Sequence, residues 1–142
     1  MEIFGKTLKE YFWPIKYYVI IAILVVISQY YIALPLSGQY PFILNITQGL
    51  WALAVIASVF TLVKKYDFGV KNIIFLGVLY SIIIHGLKSF FFRVFLFPYT
   101  HLPAEQIPAH LMGKFLYGSA IVMAVVVILG PLLIYLEKKK LI

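Results

Sequence analysis

The sequence contains no cysteine and few charged residues. Of its 142 residues, 12% are charged and only five are acidic. The absence of cysteine excludes disulfides, thiolate metal ligands and cysteine nucleophiles. The shortage of charge is incompatible with the surface of a soluble domain, in which about a quarter of all residues are charged. The composition therefore indicates an integral membrane protein.

Four apolar runs make up most of the chain, which is 63% hydrophobic with a mean hydropathy of +1.00. Each run reaches or exceeds the roughly 20 residues that a helix needs to cross the hydrocarbon core. We predict an all-α integral membrane protein, with four transmembrane helices in an antiparallel up-down bundle. The whole chain, residues 1–142, would form one domain with spans at residues 17–36, 42–63, 73–97 and 109–136.

Basic residues flank the apolar runs. Nine of the twelve lie in three clusters, which are Lys6/Lys9/Lys16, Lys64/Lys65/Lys71 and Lys138/Lys139/Lys140. The positive-inside rule places all three on the cytoplasmic side. We therefore expect a multi-pass protein of the cell membrane with both termini in the cytoplasm. This pattern favours anchoring to the membrane and its anionic lipids, and it argues against a nucleic-acid partner.

Polar residues form stripes on the third and fourth predicted helices. Within an apolar run, His85 and Lys88 are costly unless a partner or water reaches them. Spacings of three and four residues put each stripe on one helix face. The first stripe comprises Gly77, Ser81, His85, Lys88 and Ser89, and the second comprises His110, Lys114, Tyr117 and Gly118.

These polar groups lie in the outer half of the membrane when depth is counted at about 1.5 Å per residue. Apart from its apolar and aromatic residues, the inner half has only Ser, Thr and small residues. We therefore predict a basic chamber that is open to the outside and rests on a dry apolar base. Its candidate ligand-binding residues are Gln48, His85, Lys88, Arg93, Glu105, His110, Lys114 and Tyr117. Three permanent cations against the single carboxylate of Glu105 favour a phosphate, a carboxylate or a lipid headgroup. Alternatively, the basic side chains extend to the membrane surface without a specific partner.

We predict no cofactor, no metal and no catalytic residue. A haem bound by two histidines needs both at one depth, whereas His85 and His110 differ by about 19 Å in the depth count. Pro103 and Pro108 interrupt the helix that would align the possible metal ligands His101, Glu105 and His110. The sequence also contains no nucleophile elbow and no glycine-rich phosphate loop.

Three functions are compatible with these features. A short chain with little mass outside the membrane favours a non-enzymatic accessory or structural subunit of a membrane complex. Its partners would be the lipid bilayer and either other membrane subunits or its own copies, docked in part through a small-residue face. That face comprises Ala54, Ala57, Ser58 and Thr61. The second function is binding or translocation of an anionic or amphipathic ligand in the chamber. The third, less favoured, is an enzyme on a lipid-linked substrate with His85 or Glu105 as acid–base.

Overall fold

Four long helices form nearly the whole molecule in the computed structural model, which describes residues 2–96 and 102–141 and is 86% helical. All four are long and apolar enough to cross a membrane, which confirms the predicted helical membrane class. We number them α1 to α4, and they run over Leu8–Leu36, Phe42–Tyr66, Val70–Leu96 and Ala104–Lys138. Phe97, the last residue of the predicted third span, lies outside the described residues.

The helix α1 begins nine residues before the apolar run that predicted it. Thr7 caps it, because its hydroxyl accepts from the backbone N–H of Glu10 at 3.2 Å while the Glu10 carboxylate accepts from the Thr7 N–H at 3.3 Å. Such a capping box satisfies two N–H groups that a helix start leaves unpaired. A 3₁₀ turn at Trp13–Ile15 accommodates Pro14 without ending the helix.

A short β-hairpin, which the sequence analysis did not predict, precedes α1. Its strands are β1 (Glu2–Ile3) and β2 (Lys6–Thr7). The hairpin turns through Phe4 and Gly5, which both have positive φ, at 52° and 83°; this is the backbone twist that two-residue hairpins favour. The Asn72 amide donates to the Phe4 carbonyl and to the Tyr11 hydroxyl, both at 3.0 Å. The hairpin is thereby attached to α1 and α3.

Beyond the hairpin, side chains fill the space between the helices. We call residues 8–26, 54–66, 70–81 and 121–138 the packed region. Its fully buried apolar side chains include Ile15, Ala22, Val26, Val55, Val59, Leu62, Leu76, Val122 and Val126. Gly77 lies against Val126, and Gly130 lies against Ile73. Both glycines allow a close approach of α3 and α4 that a Cβ atom would obstruct.

Two of the four residues of the small-residue face predicted for partner docking are used within the chain. Ala54 and Ser58 are 5% and 0% exposed. The Ser58 hydroxyl bonds to that of Tyr80 on α3 and donates to the Ala54 carbonyl at 2.8 Å. These two residues are therefore not available to a partner subunit.

Two helices widen into π-helix, at Gln29–Ala33 in α1 and at Ile82–Leu96 in α3. In α1 the widening precedes Pro35, whose ring has no N–H and collides with the carbonyl four residues earlier; the Leu34 N–H reaches back to the Gln29 carbonyl instead. In α3 it follows Ser81, whose hydroxyl donates to the Gly77 carbonyl at 2.8 Å. A side-chain hydrogen bond of this kind competes with the backbone hydrogen bonds of the helix. The polar stripe of α3 is therefore partly π-helical, whereas its spacing predicted an α-helix.

Candidate functional site

A cavity of about 190 Å³ lies between the four helices. It adjoins both π-helical segments, which are rare structures found frequently at functional sites. The lining residues are Gln29, Tyr30, Gln48, Trp51, His85, Lys88, Ser89, Arg93, Lys114, Tyr117, Gly118 and Ile121.

The structure brings six of the eight candidate residues together around this cavity. These are Gln48, His85, Lys88, Arg93, Lys114 and Tyr117. Glu105 and His110 are not among the lining residues. Glu105 is exposed in the first turn of α4, and His110 is half-buried one turn further on. The carboxylate expected to balance the basic side chains therefore does not line the cavity.

Exposure falls from the mouth of the cavity to its floor. At the mouth, Gln48 and Lys114 are exposed and Tyr117 is 72% exposed. On the floor, Trp51 is 2% exposed and His85 is 5% exposed. Lys88 and Arg93 are half-buried between these two levels, so the cavity is open at its entrance and closed at its floor.

The deeper basic side chains lie over aromatic rings. The Lys88 Nζ is 5.5 Å from the centre of the Trp51 ring, and the Arg93 Cζ is 5.1 Å from that of Tyr30. Phe92 stacks on Tyr30 at 4.8 Å with an angle of 2° between the rings. A cation over a ring is stabilised by about 1 kcal/mol, and the Lys88 ammonium can in addition donate hydrogen bonds to acceptors in the cavity. Among the described residues that line the cavity, none is acidic.

Close packing against α4 and α2 fixes the position of His85. Its ring meets the Trp51 ring edge-on, with centres 5.0 Å apart and an angle of 86°. A Cβ atom at Gly118 would overlap the imidazole, so glycine is required there for the ring to fit. The histidine is thus held at the floor from two sides.

Among the lining residues that the structure describes, three polar atoms are buried without a hydrogen-bond partner. They are the Gln29 Oε1, the Trp51 Nε1 and the His85 Nε2. Burying such a group unpaired costs about 1–3 kcal/mol. Because native proteins rarely leave these groups unsatisfied, an unpaired set at one cavity indicates water or a ligand there.

The lining includes Gln29, Tyr30 and Trp51, which were not predicted from the sequence to belong to the site. Trp51 follows Gln48 by three residues, the spacing that places two side chains on one helix face. A tryptophan in mid-span, away from the usual interfacial position, was therefore a usable signal. Tyr30 had no comparable signal, because tyrosine is frequent throughout α1.

Metal binding finds no support in the described part of the chain. Across residues 2–96 and 102–141, no three His, Asp or Glu side chains gather closely enough to hold an ion. The donors at the cavity are instead ammonium, guanidinium, amide, hydroxyl and indole groups, which suit an oxyanion.

No family model, curated protein or solved structure matches this chain. Its function therefore has to be inferred from the chemistry of the cavity.

Proposed function

We propose that this protein is a membrane-embedded binding module for an oxyanion, either a phosphate or a carboxylate, which is free or carried on a lipid headgroup. The observation that carries the proposal is the convergence of Lys88, Arg93 and Lys114 on one cavity whose described lining has no acidic residue. Three like charges around one space repel each other. An anion bound between them attracts all three and offsets this repulsion.

Oxyanions also match the geometry of the donors. A guanidinium presents paired N–H groups that fit two oxygens of a carboxylate or phosphate, while an ammonium binds them as a compact charge. The half-buried position of Lys88 and Arg93 strengthens such bonds, since the local dielectric constant is lower than that of water. Lys114 at the exposed mouth would attract the anion before it enters.

The proposal includes an orientation in the membrane. We place the protein in the cell membrane as an antiparallel bundle with both termini in the cytoplasm. Support for the antiparallel order comes from α3–α4 contacts, because Ile73 meets Gly130 whereas His85 meets Gly118. The lysine clusters at residues 64–71 and 138–140 lie at the opposite ends of these helices from the cavity. Because the positive-inside rule puts these clusters in the cytoplasm, it predicts that the cavity opens to the outside.

Binding is favoured over translocation and over turnover. The packed region fills the space beyond the cavity with fully buried side chains such as Val55, Leu76 and Val122, which favours a site that holds its ligand over a route across the bundle. Acid–base catalysis by His85 would gain from a carboxylate nearby, and Glu105 is not among the lining residues.

The test is anion-dependent thermal stabilisation of the detergent-purified protein, compared between Lys88→Met and Lys64→Met. Both lysines lie 5.5 Å from the centre of an aromatic ring, but Lys64 sits over Phe60 in the packed region. A ligand at 100 times its Kd stabilises the folded state by about 2.7 kcal/mol. We expect inorganic phosphate at fixed ionic strength to raise the Tm of the wild type and of Lys64→Met, but not of Lys88→Met.

Two results would count against the proposal. Equal stabilisation of both variants would place the anion elsewhere, on the exposed lysines. Absence of stabilisation by phosphate, by acetate and by short-chain phosphatidic acid would remove the oxyanion site altogether.

A further inference from the structure

We infer that the ligand carries a hydroxyl group beside its anionic group, and that the floor of the cavity binds this hydroxyl. The inference rests on the proposed oxyanion site, to which it adds the chemical class of the ligand. The observation behind it is the unpaired set formed by Gln29 Oε1, Trp51 Nε1 and His85 Nε2.

The unpaired atoms need a partner that both donates and accepts. The Trp51 Nε1–H can only donate, whereas the Gln29 Oε1 can only accept. A phosphate or carboxylate oxygen would satisfy Trp51 and leave Gln29 unpaired. A hydroxyl can donate to the one and accept from the other, and it also matches His85 Nε2, which donates or accepts according to the tautomer of the ring.

The gradient of exposure separates the two parts of the ligand. The cationic nitrogens belong to residues at the mouth and middle levels, where an anion keeps part of its hydration. Trp51 and His85, at 2% and 5% exposure, define a floor too dry for an ionised group but suited to a neutral one.

Space permits both groups. The cavity of about 190 Å³ is many times the roughly 15 Å³ that one water molecule requires. A bare phosphate would therefore leave room above the floor, which water or a hydroxylated substituent must fill. The ligand class that uses the whole cavity is a phosphate ester or carboxylate with a neighbouring hydroxyl, such as a glyceryl or sugar headgroup.

The experiment compares two ligands that differ only in hydroxyl groups. Propyl phosphate and glycerol 3-phosphate share the anionic group and the three-carbon chain, and short-chain phosphatidylpropanol and phosphatidylglycerol form the matching lipid pair. Their affinities are measured by calorimetry on the detergent-purified full chain. We expect the hydroxylated member of a pair to bind about tenfold more tightly, as one or two additional hydrogen bonds would give. If only the lipid pair shows the preference, the ligand is a lipid headgroup. If both pairs show it, the ligand is a free anion.

Trp51→Phe tests the residue that would donate to the hydroxyl. Phenylalanine keeps an aromatic ring beside Lys88 and His85 but has no N–H, so we expect the hydroxyl preference to fall to about threefold or less. The matched control is Trp13→Phe, because Trp13 is the other tryptophan and lies exposed near the start of α1; it should retain the full preference. Gln29→Leu is the second variant if Trp51→Phe folds poorly, and it should lower the preference similarly.

The outcomes distinguish this inference from the proposed function. If no phosphate binds in a Lys88-dependent manner, the oxyanion site itself is wrong. If the phosphates bind through Lys88 but both members of each pair bind equally, only the hydroxyl inference is overturned, and the floor holds water. A preference that survives in both Trp51→Phe and Gln29→Leu also overturns it.

Discussion

Polar side chains are buried in both the packed region and the cavity, but they are satisfied differently. In the packed region, Ser58 bonds to Tyr80 and to the Ala54 carbonyl, and Ser81 bonds to the Gly77 carbonyl. Asn72 makes three hydrogen bonds, to the hairpin, to α1 and to the start of α3. At the cavity, by contrast, the described atoms Gln29 Oε1, Trp51 Nε1 and His85 Nε2 have no partner.

This contrast separates polar groups that stabilise the fold from polar groups kept for another purpose. A satisfied buried network adds stability, whereas an unsatisfied one lowers it. Functional sites commonly retain groups that cost stability, because the same groups are needed by the ligand. Substitutions should therefore destabilise the packed region and leave the stability of the unliganded cavity nearly unchanged.

Asn72→Ala should have the largest effect on stability. It removes the acceptor for the Gly69 N–H at 3.1 Å and the donor to the Phe4 carbonyl and Tyr11 hydroxyl. We expect the free energy of unfolding to fall by about 3 kcal/mol, since several groups lose partners at once. The measurement is unfolding by SDS in mixed micelles. Asn45→Ala is the matched control, because Asn45 is exposed, and it should change stability by less than about 0.5 kcal/mol.

Gly77→Ala and Gly113→Ala compare close packing with open space. A Cβ atom at Gly77 would lie 2.9 Å from the Met123 sulfur and against Val126, whereas at Gly113 it meets nothing within 4 Å. Alanine favours a helix over glycine by about 1 kcal/mol, but overpacking costs about 1–3 kcal/mol. We expect Gly113→Ala to stabilise the protein. The Gly77→Ala variant should be about 2 kcal/mol less stable than the Gly113→Ala variant. Equal stability in the SDS titration would mean that α3 and α4 are loosely packed.

Ser58→Ala should lower the free energy of unfolding by about 1–2 kcal/mol, because it leaves the buried Tyr80 hydroxyl without its acceptor. Tyr80→Phe should cost less hydrogen-bond energy, since Ser58 keeps its bond to the Ala54 carbonyl. A double-mutant cycle should give a coupling of about 1 kcal/mol. Simple additivity of the two effects would show that this hydrogen bond contributes nothing.

Hydropathy was sufficient to predict the helices, because a 20-residue apolar run has few alternatives in lipid. Hydropathy was not sufficient to predict the residues at which the helices begin and end. The start of α1 depends on the Thr7–Glu10 capping box, which lies outside the apolar run. The hairpin has strands of two residues each, too short for any periodic pattern to show.

Charge and depth were informative for the cavity for a related reason. A basic residue inside a span is costly, so His85, Lys88 and Lys114 were conspicuous in the sequence. Glu105 was assigned to the same site by charge balance, which takes no account of where the first turn of α4 places its side chain. Trp51 was missed because hydropathy counts it with the apolar residues, although its N–H is polar. The widening of α3 could not be inferred from spacing, since periodicity assumes 3.6 residues per turn.

Lys88→Met should have the smallest effect on the stability of the unliganded protein, although it should abolish anion binding. Loss of the cation over Trp51 costs about 0.5–1 kcal/mol. The described lining has no acidic residue, so removal of the half-buried Lys88 charge should stabilise the protein by a similar amount. The SDS titration without anion should thus show a change within about 0.5 kcal/mol, well below that of Ser58→Ala. A loss of about 2 kcal/mol would make Lys88 a structural residue and would place the cavity in the same class as the packed region.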